Sequence, residues 1–157
     1  MIARSGSDLA ADRAHMVRAL DRVRGYLEAH ANGSAATAQP DLADDSALAR
    51  LRGVFGLSRF ERDVLLLAAA PELDGTFATL FAQASGDAAR AYPTLSLALA
   101  ALPEPAWSAV TPDAPLRHWR LVQIDGPSVV TGVLRADEAI VNTLLGFAHH
   151  DSRLEPY

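Results

Sequence analysis

The stretch WRLVQIDGPSVVTGVL, residues 119–134, decides how the rest of the chain is read. Residues 119–124 carry the β-branched and aromatic content of a strand, and 129–134 are again rich in β-branched residues. Between them Asp125-Gly126-Pro127-Ser128 is a turn, because glycine and proline supply backbone angles that a strand lacks. The pair therefore predicts a β-hairpin. Just downstream, Asp137 is placed to cap a last helix with Ile140, Val141, Leu144 and Leu145 on one face and Gly146 at its C′ position.

Upstream the period changes from two to about 3.6 residues. Asp45 or Ser46 opens a short helix through Leu48, Leu51, Val54 and Phe55, which Gly56 ends. Ser58-Arg59-Phe60-Glu61 is a capping box, with Ser58 as N-cap and Glu61 at N3. The helix it starts reaches about Ala70 and is apolar around most of its circumference, which makes it the central core helix. Pro71 is read as the N1 residue of a further helix through Leu73, Phe77, Leu80 and Phe81, stopping at Ser85-Gly86. Pro93 starts another, TLSLALAAL, closed by Pro103, and 105–110 supply one more turn. A compact helical cluster, then a hairpin, then a helix is the order of a winged helix. The fold expected is mainly α with a small β-hairpin, a winged-helix-like domain preceded by a long amphipathic helix.

That first helix spans 1–32. Leu9, Met16 and Val23 recur every seven residues, with Leu20 and Leu27 four after the second and third. Ser7 or Asp8 is placed to cap it and Asn32-Gly33 to stop it. Its apolar stripe is either an oligomer seam or a face docked on its own domain; docking is the preferred reading, as three heptad steps are few for a coiled coil. Residues 33–44 read as a small, polar linker, 45–148 as the winged-helix-like domain, and 149–157 as a loose polar tail.

Composition excludes several chemistries. Among 157 residues there is no cysteine and, since all 14 basic residues are arginine, no lysine. That removes disulfides, thiolate nucleophiles, cysteine zinc sites, Schiff-base lysines and the P-loop lysine. The net charge of −5 opposes binding to a polyanion. The longest apolar run, 64–71, is far short of the roughly 20 residues of a membrane span, and acids and arginines interrupt any leader-like segment. A cytoplasmic protein is expected.

Catalytic and ligand-binding groups are equally sparse. Gly53-Val54-Phe55-Gly56 is a helix end rather than a phosphate loop. His149 and His150 are adjacent, so they do not share a helix face as i, i+4 ligands do, and no metal site is expected from them or from His15, His30 and His118. Glu61 belongs to the capping box, and Glu72 is read as a first-turn acid favoured by the helix dipole. No catalytic, cofactor-binding or metal residue is assigned. Trp107 and Trp119 are read as core or hairpin-packing residues, with partner anchoring as the alternative. Arg117, His118 and Arg120 form the compact basic cluster, and strand alternation would set Arg117 opposite the other two.

Several motifs carry a family resemblance. Leu57-Ser58-Arg59-Phe60-Glu61-Arg62-Asp63 with Leu65-Leu66-Leu67, Pro71-Glu72-Leu73, Tyr92-Pro93-Thr94 with Leu97-Ala98-Leu99, Pro115-Leu116-Arg117-His118-Trp119-Arg120-Leu121, Leu144-Leu145-Gly146 and Arg153-Leu154 occur in order. Together they resemble the N-terminal winged-helix domain of large bacterial AAA+ ATPases associated with contractile injection systems. The chain departs from that pattern at Ala139 and Thr143, where the family often has arginine and an aromatic residue. The resemblance implies that ATPase modules follow this domain in the parent protein. It also implies that ATP and Mg belong to those modules and not to this chain.

The function expected is a non-catalytic adaptor that recruits a protein partner or positions a ring. Its partners would be injection-system components or the parent ATPase ring, with no membrane and no nucleic acid. Arg117, His118, Arg120, Asp125 and Ser128 are the partner-binding candidates. The alternative is a winged-helix DNA-binding domain. Against it, TLSLALAAL offers no Arg, Lys, Asn or Gln to base edges, and Asp125 at the wing tip repels phosphate.

Overall fold

The computed structural model describes residues 6–34 and 47–148. Among them seven α-helices run in the order α1 (Gly6–Ala31), α2 (Ala47–Phe55), α3 (Arg59–Leu73), α4 (Phe77–Ser85), α5 (Leu95–Ala101), α6 (Pro115–His118) and α7 (Glu138–Ala148). A 3-10 turn, Trp107–Val110, precedes α6, and the two strands β1 (Val122–Asp125) and β2 (Val133–Ala136) lie between α6 and α7. The expected helical cluster, hairpin and final helix are all present. Most of the linker (35–44), the Asp45/Ser46 cap and the 149–157 tail fall outside the described residues.

The core is built around α3. Every residue from Phe60 to Ala70 is buried, so the helix has no solvent face over that length. Its start is fixed by the predicted capping box: the Ser58 hydroxyl accepts from the Glu61 N–H at 3.1 Å, and the Glu61 carboxylate accepts from the Ser58 N–H at 2.9 Å. Both donors would otherwise be orphaned at a helix end.

On α1, Met16, Ala19, Leu20, Val23, Tyr26 and Leu27 are buried in the same core as Phe60, Leu67, Phe77 and Phe81. The stripe thus packs against α3, α4, α5 and α7 of its own chain. A buried ion cluster adds direction to this contact. Asp63, 1% exposed, accepts from Arg22 Nη2 at 2.9 Å and from Arg62 Nε at 3.2 Å, tying α1 to α3. Two residues farther along α1, the Arg24 guanidinium lies 4.5 Å from the centre of the Phe77 ring and meets Asp74 Oδ2 at 2.6 Å. Thr76, through its side chain and its N–H, holds the Asp74 carboxyl below its ordinary value; burial opposes this less strongly, and Arg24 adds smaller lowering effects.

Four boundaries differ from the sequence expectation, and for the first two the local reason is visible. Pro71 does not open a helix; it lies inside the last turn of α3, and Glu72 follows it there rather than in a first turn. The stop comes from Asp74, which is extended and whose side chain accepts from the Thr76 N–H at 2.9 Å and hydroxyl at 2.7 Å, so α4 starts at Phe77. Pro93 precedes the N-cap of α5: Thr94 is the cap, its hydroxyl accepting from the Leu97 N–H at 3.1 Å. α1 starts at Gly6, which puts Ser7 and Asp8 inside it, and α7 continues through Gly146 to Ala148.

The hairpin also differs. β1 pairs with β2 antiparallel, Val122 opposite Ala136 and Asp125 opposite Val133. Val129 and Val130 are therefore in the loop, not in a strand. Ser128 organises that loop: its hydroxyl accepts from the N–H of Val130 at 3.2 Å and its carbonyl from the N–H of Gly132 at 2.9 Å. Gly132 is essential to the geometry, since a Cβ there would stand 2.7 Å from the Ser128 carbonyl oxygen and 2.8 Å from that of Asp125.

Candidate functional site

Residues 115–118, expected to lead into a strand, form α6 instead, with Trp119 as its C-cap. Strand alternation therefore does not govern Arg117, His118 and Arg120; they lie on and just beyond one helical turn. The turn is closed by two backbone bonds, Arg120 N–H to Arg117 carbonyl at 3.1 Å and Leu121 N–H to Leu116 carbonyl at 2.9 Å. This is the pattern in which the residue after the cap takes a left-handed conformation, usually as glycine. Here it is Arg120, at φ 55°.

Trp119 is neither a core residue nor covered by the hairpin: it is 55% exposed. Its ring meets Phe55 at 6.1 Å with an interplanar angle of 55°, and His118 edge-on at 4.8 Å and 84°. Phe55 is half-buried at the end of α2, and its neighbour Val54 is 78% exposed. The end of α2 and the end of α6 thus form one aromatic face. Trp107 is likewise exposed, at 61%, on the 3-10 turn, so the core reading fails for it too.

Asp125 and Ser128 do not join this face. They lie at the opposite end of β1 from Trp119, where Asp125 is ion-paired with Arg135 and Ser128 serves the loop bonds described above. Val54 and Phe55 are functional candidates that sequence reasoning missed. Phe55 meets Trp119 only through the tertiary fold. A signal existed for Val54, an aliphatic residue one turn from Arg50 on the polar side of a short helix.

The helix expected to stand in the reading position, α5, is turned into the protein. Leu95, Leu97 and Ala98 are buried, leaving Ser96 and Ala100 as its exposed residues. Its first turn is also engaged: the Ser96 N–H donates to Val130 at 3.0 Å, Leu134 N–H donates to Pro93 at 2.9 Å, and Thr94 bridges to Val133. The hairpin loop is thereby stitched to the end of α5 that would approach a base pair.

An open groove of about 380 Å³ lies between the start of α3 and α6, lined by residues that include Ser58, Glu61, Thr111 and Asp113. Ser58 and Glu61 are bonded to each other's backbone in the capping box, and the Thr111 hydroxyl donates to the Ser108 carbonyl at 3.0 Å. Among the described residues no group of three or more His, Asp or Glu side chains is gathered to hold a metal ion. No helix among them is long and apolar enough to cross a membrane. At Gly53–Gly56 the chain forms a helix C-terminus, with the Leu57 N–H on the Arg52 carbonyl at 3.0 Å and Gly56 at φ 67°.

A family model described as winged helix domain, variant, matches residues 3–157. The chain belongs to that family. No curated protein and no solved structure matches it.

Proposed function

We propose that this variant winged helix domain is a non-catalytic module that recruits or positions a protein partner and does not read DNA. The observation that carries the reading is α5: its long side chains are in the core and its N-terminal turn is bonded to the hairpin loop. A groove-reading helix needs that turn free and needs polar side chains on it. The hairpin tip supports the same reading, because the Asp125–Arg135 pair leaves no net positive charge there for phosphate.

The finer setting rests on the family resemblance of the motifs 57–67, 92–99 and 115–121. On that ground the domain is placed at the N-terminus of a cytoplasmic AAA+ ATPase associated with contractile injection systems. ATP and Mg would be bound by that parent's ATPase modules, and the partner would be an injection-system component or the ATPase ring itself.

Two titrations test the proposal. Isothermal titration of ATP-Mg into the chain is expected to give no binding heat; saturable binding would overturn the non-catalytic reading. In a gel shift with a random-sequence duplex, no retained complex is expected at low or physiological salt. Retention that falls steeply as salt rises would make the domain a DNA binder.

A further inference from the structure

We propose that the outer edge of β1 is a strand-docking site, which takes an extended segment of a protein partner as an added antiparallel strand. This rests on the reading of the domain as a protein-docking module and gives the form and chemistry of what docks.

The direction of each backbone group in the hairpin follows from its register. Val122, Gln123, Ile124 and Asp125 lie opposite Ala136, Arg135, Leu134 and Val133. In an antiparallel ladder, opposed residues alternate between pairs that exchange both hydrogen bonds and pairs that exchange none. Two bonds outside the ladder fix the alternation. The Asp137 N–H donates to the Leu121 carbonyl at 2.8 Å, so that Leu121 and Asp137 are a bonded pair. The Leu134 N–H turns away from β1 and donates to the Pro93 carbonyl at 2.9 Å. Gln123 and Asp125 therefore bond to β2, while Val122 and Ile124 aim their N–H and C=O groups away from it.

Those outward groups have no hydrogen-bond partner among the described residues. The far side of β2 is different, because Pro93 and Thr94 pair with it. The open edge of the sheet is thus β1. Val122 is only 5% exposed, and an unpaired backbone group at a buried residue costs about as much as a lost hydrogen bond. An added strand would supply the missing partners. Sheet edges are commonly blunted by a proline or a bulge within the strand. β1 has neither: its sequence is VQID and its register runs without interruption.

The same register specifies the side chains of the occupant. Residues directly opposed across a ladder share a face. Residues docked beside Val122 and Ile124 would lie on the core side, where Val122 is buried and Ile124 is half-buried against the core. A residue docked beside Gln123 would lie on the exposed side. The occupant is therefore apolar at alternate positions and polar between them. Charge does not select it strongly. Asp125 is ion-paired with Arg135, the Asp137 carboxylate accepts from the Ala139 N–H at 3.0 Å, and the exposed Arg120 stands before the edge, not on it. Main-chain bonds supply the affinity in this mode of recognition and alternate side chains the specificity. A nucleic acid has no peptide backbone to complete the ladder.

The test uses the 157-residue chain, labelled with nitrogen-15, and the peptide acetyl-Thr-Val-Thr-Val-Thr-amide. In the docked register its valines oppose Ile124 and Val122 and donate their N–H groups to β1, whereas the central threonine N–H points away. In the free chain the Val122 and Ile124 amides should exchange with solvent faster than those of Gln123 and Asp125. The peptide should give saturable shifts at residues 122–125 and slow the exchange of Val122 and Ile124. Methylating both valine nitrogens should weaken binding by about tenfold or more, and methylating the central threonine nitrogen should leave it unchanged. Ile124→Pro removes an outward N–H and no hairpin bond, so it should lose the peptide while β2 keeps its amide protection.

Equal binding of the two methylated peptides would overturn the inference, as would shifts that saturate away from residues 122–125. Absence of binding by the parent peptide would overturn it alone, leaving protein docking to another face. Protection of Val122 and Ile124 that grows with chain concentration, with a dimer mass by light scattering and no peptide present, would overturn it by giving the edge to a second copy. Failure of the docking reading itself has a different signature, saturable shifts in α5 on titration with a random-sequence duplex.

Discussion

Asp63→Asn probes the contact that holds α1 to α3. The substitution is nearly isosteric, so it removes charge rather than volume. In the native chain the Asp63 carboxylate is 1% exposed and faces Arg22 at 2.9 Å and Arg62 at 3.2 Å. Without its charge, two guanidinium groups converge on a neutral amide. Breaking a buried ion pair by removing one partner costs about 3–5 kcal/mol. Arg22 retains 15% side-chain exposure and a long stem that can carry its head toward water, which places the cost near the lower figure. A loss of about 3 kcal/mol is a large part of a typical stability of about 5–15 kcal/mol. At about 2–4 °C per kcal/mol for a chain of this size, the thermal midpoint should fall by about 6–12 °C. Urea unfolding should show a lower midpoint with an unchanged slope. In a double-mutant cycle with Arg22→Met the two changes should couple by about 0.5–3 kcal/mol. A loss under about 1 kcal/mol, or additive effects, would refute the view that this cluster fastens α1 to the core.

Three further outcomes are expected. Because the Asp74 carboxyl is lowered by Thr76 and Arg24, its contribution to stability is present above the ordinary carboxylate range and is lost as pH falls through its folded value; Asp74→Asn should flatten the acid limb of a urea-midpoint-versus-pH curve, and parallel limbs would contradict this. Gly132→Ala places a methyl against two backbone oxygens and should cost about 1–3 kcal/mol, with faster amide exchange in β1 and β2; wild-type exchange would show that the loop opens freely. Arg120→Gly should gain about 1 kcal/mol by relieving the left-handed strain, measured as a higher urea midpoint; a loss would mean that the Arg120 side chain supports the fold.

Features fixed by neighbours in sequence were legible in the chain. The Ser58/Glu61 capping box, the Asp137 cap, the helix ends at Gly33, Gly56 and Gly86 and the seven-residue stripe of α1 all depend on residues within a turn or two of one another. The misread boundaries share a different cause. Pro71 fits the first turn of a helix by local rule, but burial of Ala68, Ala69, Ala70 and Leu73 extends α3 through it, and Asp74 supplies the stop. Val129 and Val130 have strand propensity, yet Ser128 and the close approach at Gly132 commit them to a loop. Pro115 starts a helical turn where the following aromatic and β-branched residues suggest a strand. Of the candidate site, the basic cluster around Trp119 was visible as composition. Its aromatic partner was not, because Phe55 lies in another helix and meets Trp119 only when α2 and α6 come together. Asp125 and Ser128 drew attention through the turn they mark, and their side chains are engaged in making that turn.

The central claim is that α5 is not available to DNA. Amide chemical-shift mapping during titration with a random-sequence duplex at low ionic strength tests it directly. Unchanged Leu95–Ala101 amides and an unchanged hairpin are the predicted result. Saturable shifts confined to α5 and the 126–132 loop would contradict it.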